Sequence, residues 1–187
     1  MTQTPANKRE VVLTFDDGPS RYLPEILDIL LDEKVPAHFF WQTRLLHHKR
    51  PWQRVLEEGH RIGTHSHRHR NLKNASFETQ YQDISKSKQL IERLTNTEVC
   101  WFRPPFGQYN EHTLEVCKQL NLIPVLWSVH SFDWENESQS NDIIRHVLKQ
   151  LHDGAIILLH ERKVTVDALS SLIKQMKEKG YQFKTLS

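Results

Sequence analysis

The sequence predicts an α/β fold of parallel strands joined by crossover helices, in one domain. Two observations carry that expectation. Short apolar, β-branched runs alternate with stretches of helical periodicity along the whole chain, the pattern of repeated β-α units. The chemically unusual residues fall just after predicted strands, and the strand ends of a parallel sheet share one face. An open doubly wound sheet and a closed barrel both fit the alternation. No Gly-rich phosphate fingerprint follows the first strand, since Asp16-Asp17-Gly18-Pro19 is not of that type.

Val11–Phe15 (VVLTF) is the first buried strand, broken by the turn formers Asp16 to Ser20. Pro24 suits a helix start, and Leu23, Ile26, Leu27, Leu30 and Leu31 recur at helical spacing. Ala37–Trp41 (AHFFW) is the second strand. Pro51 opens a short helix that Gly59 closes, and His60–Thr64 is a third, weaker strand. Ser76 caps a long helix with Phe77, Tyr81, Ile84, Ile91 and Leu94 inward. Val99–Phe102 is a strand with Arg103-Pro104-Pro105-Phe106-Gly107 as its exit loop. Asn110 caps a helix to about Leu120. Leu122–Val129 reads as one strand, with Pro124 tolerated near its start. A helix follows over about Asn141–Leu151, then the apolar strand Ala155–Leu159. A last helix over about Val166–Lys179 ends at Gly180, and Tyr181–Leu186 is a final strand. The total is about seven strands and six helices, preceded by a polar tail over residues 1–10.

Composition narrows the function. The chain has 187 residues, enough for one sizeable core. With 25 Lys and Arg against 23 Asp and Glu it carries no broad basic footprint, so nucleic acid is not an expected partner. No apolar run is long enough to span a membrane. Residues 1–10 lack a signal-type apolar stretch. The expectation is therefore cytoplasmic as the chain stands, or extracellular or cell-wall if a leader has been removed. Cys100 and Cys117 form no C-x-x-C pair and read as buried thiols, a single disulfide between them remaining open. Histidine, at 12, is frequent and clustered, a pointer to metal or proton chemistry.

Within Thr64-His65-Ser66-His67-Arg68-His69-Arg70, residues at i and i+4 of a helical turn would lie on one side, so His65 and His69 could grip one ion. Two histidines and a carboxylate with an open position suit a catalytic Zn²⁺, and the same donors suit non-haem Fe²⁺. Asp16 and Asp17, held at a strand tip, offer one carboxylate as ligand and one as base. Arg103 could steady the base by a bidentate contact. His160 ends an apolar strand, and a carboxylate such as Asp133 beside it would favour the charged, acid form.

These residues resemble the polysaccharide deacetylases, the NodB-homology carbohydrate esterases, over about Val11 to Leu186. Five stretches agree in order: Thr14-Phe15-Asp16-Asp17-Gly18-Pro19, Gly63-Thr64-His65-Ser66-His67-Arg68-His69, Arg103-Pro104-Pro105-Phe106-Gly107, Ser131-Phe132-Asp133-Trp134 and Ile157-Leu158-Leu159-His160. The resemblance implies a distorted (β/α) barrel, often of seven strands, with the catalytic domain spanning 11–187. It also implies metal-assisted removal of acetyl groups from sugar polymers. Carried over residue by residue, Asp17, His65 and His69 hold one divalent metal and its water. Zn²⁺ is the first choice, with Co²⁺, Ni²⁺ and Fe²⁺ also suited. Asp16 is the base, Arg103 orients it, His160 is the acid, Asp133 tunes His160, and the Phe106 backbone N–H helps hold the oxyanion. His130 and Glu161 stand where relatives often carry Asp, and Phe106 where Tyr is commoner.

The expected partner is an acetylated carbohydrate, first of all N-acetylglucosamine in a peptidoglycan- or chitin-type polymer. Alternatives are an acetylxylan esterase or small-amide deacetylase using the same site, a non-catalytic carbohydrate-binding relative, and an iron oxygenase. Trp41 is expected to leave its strand on the active face as a sugar platform, with Trp134 beside Asp133 as a second contact. Trp52, Trp101 and Trp127 are expected in the core, and His38, His47 and His48 to be structural or exposed.

Overall fold

The computed structural model describes residues 9–47, 49–135 and 139–186. Its strands are β1 (Arg9–Gly18), β2 (Ala37–Trp41), β3 (Arg61–Thr64), β4 (Trp101–Phe102), β5 (Ile123–Pro124), β6 (Val129–His130), β7 (Ile156–His160) and β8 (Tyr181–Phe183). Its α-helices are α1 (Leu23–Glu33), α2 (Trp52–Glu57), α3 (Phe77–Thr95), α4 (Glu111–Gln119), α5 (Ser140–Gln150) and α6 (Lys163–Glu178). All strand pairings are parallel, in the order β5-β4-β3-β2-β1-β7-β6, and β8 pairs separately with the start of β1.

That order requires a curled sheet. β5 and β6 are its two edges, yet Pro124 and Val129 are five residues apart and can be separated by at most about 18 Å. Seven strands laid flat would hold the edges about 29 Å apart. The sheet therefore bends into a distorted barrel, with residues 125–128 crossing its seam. The apolar run 122–129, expected as one strand, is two short strands on opposite edges. Arg9 and Glu10, expected in the tail, pair with Tyr181 and Gln182. His48 lies outside the described residues.

Side-chain alternation divides each strand between two faces. Val11, Leu13 and Phe15 of β1, Ala37, Phe39 and Trp41 of β2, and Ile157 and Leu159 of β7 join one buried apolar cluster with Leu23, Ile26 and Leu27 of α1 and Leu169, Leu172 and Ile173 of α6. The intervening residues, Thr14, Asp16, His38, Phe40, Leu158 and His160, occupy the other, concave face. Helix ends are set by local chemistry. Ser76 Oγ accepts the Thr79 N–H, and Asn110 forms a reciprocal capping box with Thr113. Neither cysteine is disulfide-bonded, and burial pushes the Cys117 thiol up to about 12. Among the described residues, no helix is long and apolar enough to cross a membrane.

Candidate active site

Register brings the first two functional groups together. Asp16 of β1 pairs directly with His160 of β7, and neighbours in register on parallel strands share a face. Asp17 would point the opposite way in a regular strand. A register shift between Asp16 and Gly18, with Asp17 at φ 66°, turns its carboxylate into the same hollow. Ser66, His69, Phe106 and Phe132 also adopt left-handed φ values. Such conformations carry strain in non-glycine residues, and three of these residues, Asp17, His69 and Phe106, line one cavity.

Asp17, His65 and His69 converge. Asp17 Oδ1 lies 3.1 Å from His69 Nε2 and 3.7 Å from His65 Nε2, and the two Nε2 atoms are 3.2 Å apart. A tetrahedral ion with bonds of about 2.0–2.1 Å separates its donors by about 3.3 Å, so the three atoms fit the corners of one coordination sphere. The tautomer of His65 also fits. Its Nδ1 lies 2.7 Å from the Arg103 carbonyl oxygen and must donate, leaving Nε2 a free lone pair. Burial, and then His65, hold the His69 imidazole below its usual value, in the neutral form that binds metals. Burial alone would raise the Asp17 carboxyl, but His65, His160, His69 and the Gln42 amide together lower it.

Asp16 is buried, and one oxygen accepts an N–H from Arg103 at 2.9 Å. Arg103 is fully enclosed. The same terminal nitrogen reaches Thr14 Oγ1 at 2.6 Å, while its other N–H groups reach the Val125 and Leu126 carbonyls at 3.3 and 3.1 Å. The contact to Asp16 is therefore single rather than bidentate. The remaining donors tie the base to the segment that crosses the seam. The Phe40 ring packs 4.2 Å from the guanidinium.

His160 is set by Asp133, itself buried. Its Nδ1 donates to Asp133 Oδ1 at 2.7 Å, and its backbone N–H to Oδ2 at 2.7 Å, where Thr165 Oγ1 also donates. Burial lowers the imidazole, but the Asp133 bond and the charges of Asp133, Asp16 and Asp17 outweigh it, and the net direction is up. Nε2, 3.9 Å from Asp17 Oδ2, is the other ring nitrogen, and it carries a proton when the imidazole is charged.

The cavity holds about 360 Å³ and is lined by Asp16, Asp17, His65, His69, Phe106, Trp127, Trp134, Leu158, His160 and Arg162. Trp134 is there, its ring edge-on to His160 at 5.5 Å. Trp41 is not. It is fully buried, its Nε1 donating to Glu161 Oε1 at 3.0 Å, because it shares the helix-facing parity of Ala37 and Phe39. It offers no face to a sugar, and that expectation is corrected. Trp127, expected in the core, lines the cavity instead, steered by its N–H bond to His130 Nδ1 at 3.0 Å.

The sequence reading missed four contributors. Gln42 donates to Asp17 Oδ1 at 2.6 Å, Thr14 bridges Arg103 to the Ile157 carbonyl, and Arg162 lines the cavity. Glu161 braces the turn after β1: its carboxylate, pushed up by burial to about 7, accepts the Ser20 N–H at 2.6 Å. Position was the available signal for Gln42 and Arg162, each just past a strand end.

Comparison with known proteins finds the same family and the same overall fold. The family described as polysaccharide deacetylase matches residues 3–125. A peptidoglycan-N-acetylglucosamine deacetylase of Bacillus cereus is 36% identical over 193 residues, covering 99% of this chain and 90% of the relative. The solved structure of the Bc1960 peptidoglycan N-acetylglucosamine deacetylase superposes with a TM-score of 0.89 at 36% identity, over 97% of this chain and 88% of that one. A CE4 family pseudoenzyme from Bacillus anthracis superposes at 0.88 with 29% identity, over 98% and 68%.

Proposed function

The chain belongs to the polysaccharide deacetylase family, and from that premise we propose that it hydrolyses the acetamide of N-acetylglucosamine in a peptidoglycan- or chitin-type polymer. The observation that supports catalysis, in a family that includes a pseudoenzyme, is the placing of Asp16, bonded to Arg103, and His160, bonded to Asp133, beside one donor triad. Asp16, held by Arg103, takes the proton from the attacking water. The water oxygen bonds to the acetyl carbon, the carbon–nitrogen bond breaks, and His160 gives its Nε2 proton to the departing amine as acetate leaves. A divalent cation on Asp17, His65 and His69, Zn²⁺ by its fit to a two-histidine, one-carboxylate set, would supply Lewis-acid polarisation of the carbonyl. The Phe106 backbone N–H, from a residue that lines the cavity, is assigned the carbonyl oxygen in this reading. Trp127 and Trp134 wall the acetyl group and the ring that bears it. A wall polymer as substrate favours the extracellular or cell-wall placement over the cytoplasmic one.

The test is acetate release from N-acetylglucosamine oligomers and from acetylated xylan, each with protein as purified, stripped by chelator, and reloaded with Zn²⁺ or Co²⁺. Metal-restored release from the amide oligomers is expected, and Asp16→Asn should lower it by about 10²-fold or more while leaving the metal bound. Release from xylan alone would move the protein to the esterases. Near-normal rates in Asp16→Asn would overturn the base assignment.

A further inference from the structure

The loop that carries His65 and His69 has a second face. His65 and His69 line the catalytic cavity, whereas His67, Arg68 and Arg70 line a separate cleft of about 260 Å³ against the first turns of α3, completed by Thr79, Gln82, Asp83 and Lys86. Three of these residues, Arg68, Arg70 and Lys86, are basic, and none of their side chains has an ion-pair or hydrogen-bond partner among the described residues. The single carboxylate, Asp83, is buried and already engaged, its Oδ2 accepting the backbone N–H groups of His67 and Arg68 at 3.2 Å each. His67 Nδ1 is paired with Thr43 Oγ1 at 2.9 Å, and the Gln82 amide with Glu78. The cleft is thus a small polar hollow with unspent positive charge. It is continuous in the backbone with the catalytic loop: Arg44 donates its N–H to the His67 carbonyl and its Nε–H to Gln42, which in turn holds Asp17.

We propose that this cleft is an anion subsite that receives a carboxylate borne by the sugar next to the one being deacetylated. The inference rests on the deacetylase reading above and extends it to the substrate's neighbour. The cleft and the cavity are lined by the same loop, so a polymer held at the cavity and extending over that loop would bring a substituent of the neighbouring sugar to Arg68, Arg70 and Lys86. Guanidinium groups match a carboxylate in shape and charge. The small volume and the near-balanced charge of the whole chain favour one carboxylate over a polyanion.

The test compares an oligosaccharide of alternating N-acetylglucosamine and N-acetylmuramic acid with its carboxyl-reduced, uncharged counterpart. Arg70 and Lys86 are exposed and lie outside the catalytic cavity, so the double variant Arg70→Gln/Lys86→Gln should fold normally. Its kcat/KM on the acidic oligosaccharide should fall about fivefold and lose most of its salt dependence. On the reduced oligosaccharide it should match the parent. Equal losses on both substrates, or no loss on either, would overturn the subsite. Calorimetric binding of the same two sugars, on protein kept in chelator, reads the cleft without turnover. There the parent should hold the acid about fivefold more tightly than the reduced form, and equal affinities would overturn the proposal. If the parent released no acetate from either sugar, the deacetylase reading would fall, and this binding measurement would still decide the cleft.

Discussion

His38 should make the protein acid-sensitive, and replacing it with leucine should remove that sensitivity. The imidazole is fully buried on the concave face, stacked on Phe40 at 4.8 Å and edge-on to Trp101 at 6.1 Å, and neither ring nitrogen has a hydrogen-bond partner. Burial, with Arg103 and Arg61 nearby, lowers its pKa to about 3, so it folds neutral. The unfolded chain takes up a proton below about pH 6.5, which the folded chain refuses. Stability attributable to this site is therefore full above pH 6.5 and falls as pH drops, by about 1.4 kcal/mol per unit, or about 2 kcal/mol at pH 5. His38→Leu removes that term. It also relieves two unsatisfied polar atoms, worth about 1–3 kcal/mol, against about 1 kcal/mol of lost ring contacts. Urea unfolding of parent and variant at pH 8 and pH 5 measures the difference. His60, lowered to about 4, and Glu161, raised to about 7, also respond to pH with opposite signs, but both are common to the two proteins and cancel. The variant should gain about 2 kcal/mol more at pH 5 than at pH 8. An identical difference at the two pH values would refute the neutral, unpartnered histidine.

Three further outcomes follow from the site. Asp133→Asn removes the charge that raises His160, so the alkaline limb of the kcat profile should move to lower pH; an unmoved limb would show that the acid is elsewhere. A methyl added at Gly18 would lie 1.8 Å from Glu161 Oε1, so Gly18→Ala should destabilise by about 1–3 kcal/mol, and Gly18→Ala/Glu161→Ala should recover part of it in thermal melts. Failure of the second change to rescue would place the cost elsewhere. His69→Ala should lose metal on dialysis, because two donors remain of three; full occupancy by elemental analysis would rule His69 out as a ligand.

Much of this was legible in the chain because local chemistry set it. Ala37–Trp41 reads as a strand and is one to the residue, and Ser76 and Asn110 cap the helices they precede. Asp16, Asp17, His65, His69, Arg103, Asp133 and His160 were recognisable because each lies at or near a strand exit, where the fold gathers side chains. What failed depended on non-local geometry. Nothing in the apolar run 122–129 signals that its two ends pair with strands on opposite edges of the sheet. Trp41 failed for a related reason, since which parity of a strand faces the helices is known only once the register is, and Trp127 because it lies in the seam crossing and not in a strand. Gln42 and Arg162 carry no motif, and only folded distances reveal them.

The placing of β1 has a consequence for how the protein is made. This strand is central, paired with β2, which follows it closely, and with β7, whose Ile157 is bonded to Thr14 across 143 residues of chain. During synthesis Asp16 emerges early and can pair on one side at once. The opposite side stays an open edge until β7 has left the ribosome. Late pairing of this kind slows folding and leaves an apolar strand exposed to wrong partners meanwhile. An amino-terminal fragment that stops short of β7 carries Asp16 without His160, since the two lie on the first and the seventh strands. Expression yield should thus depend on what shields β1 during translation, and a chaperone or a lower temperature should raise it more than any change to the cavity.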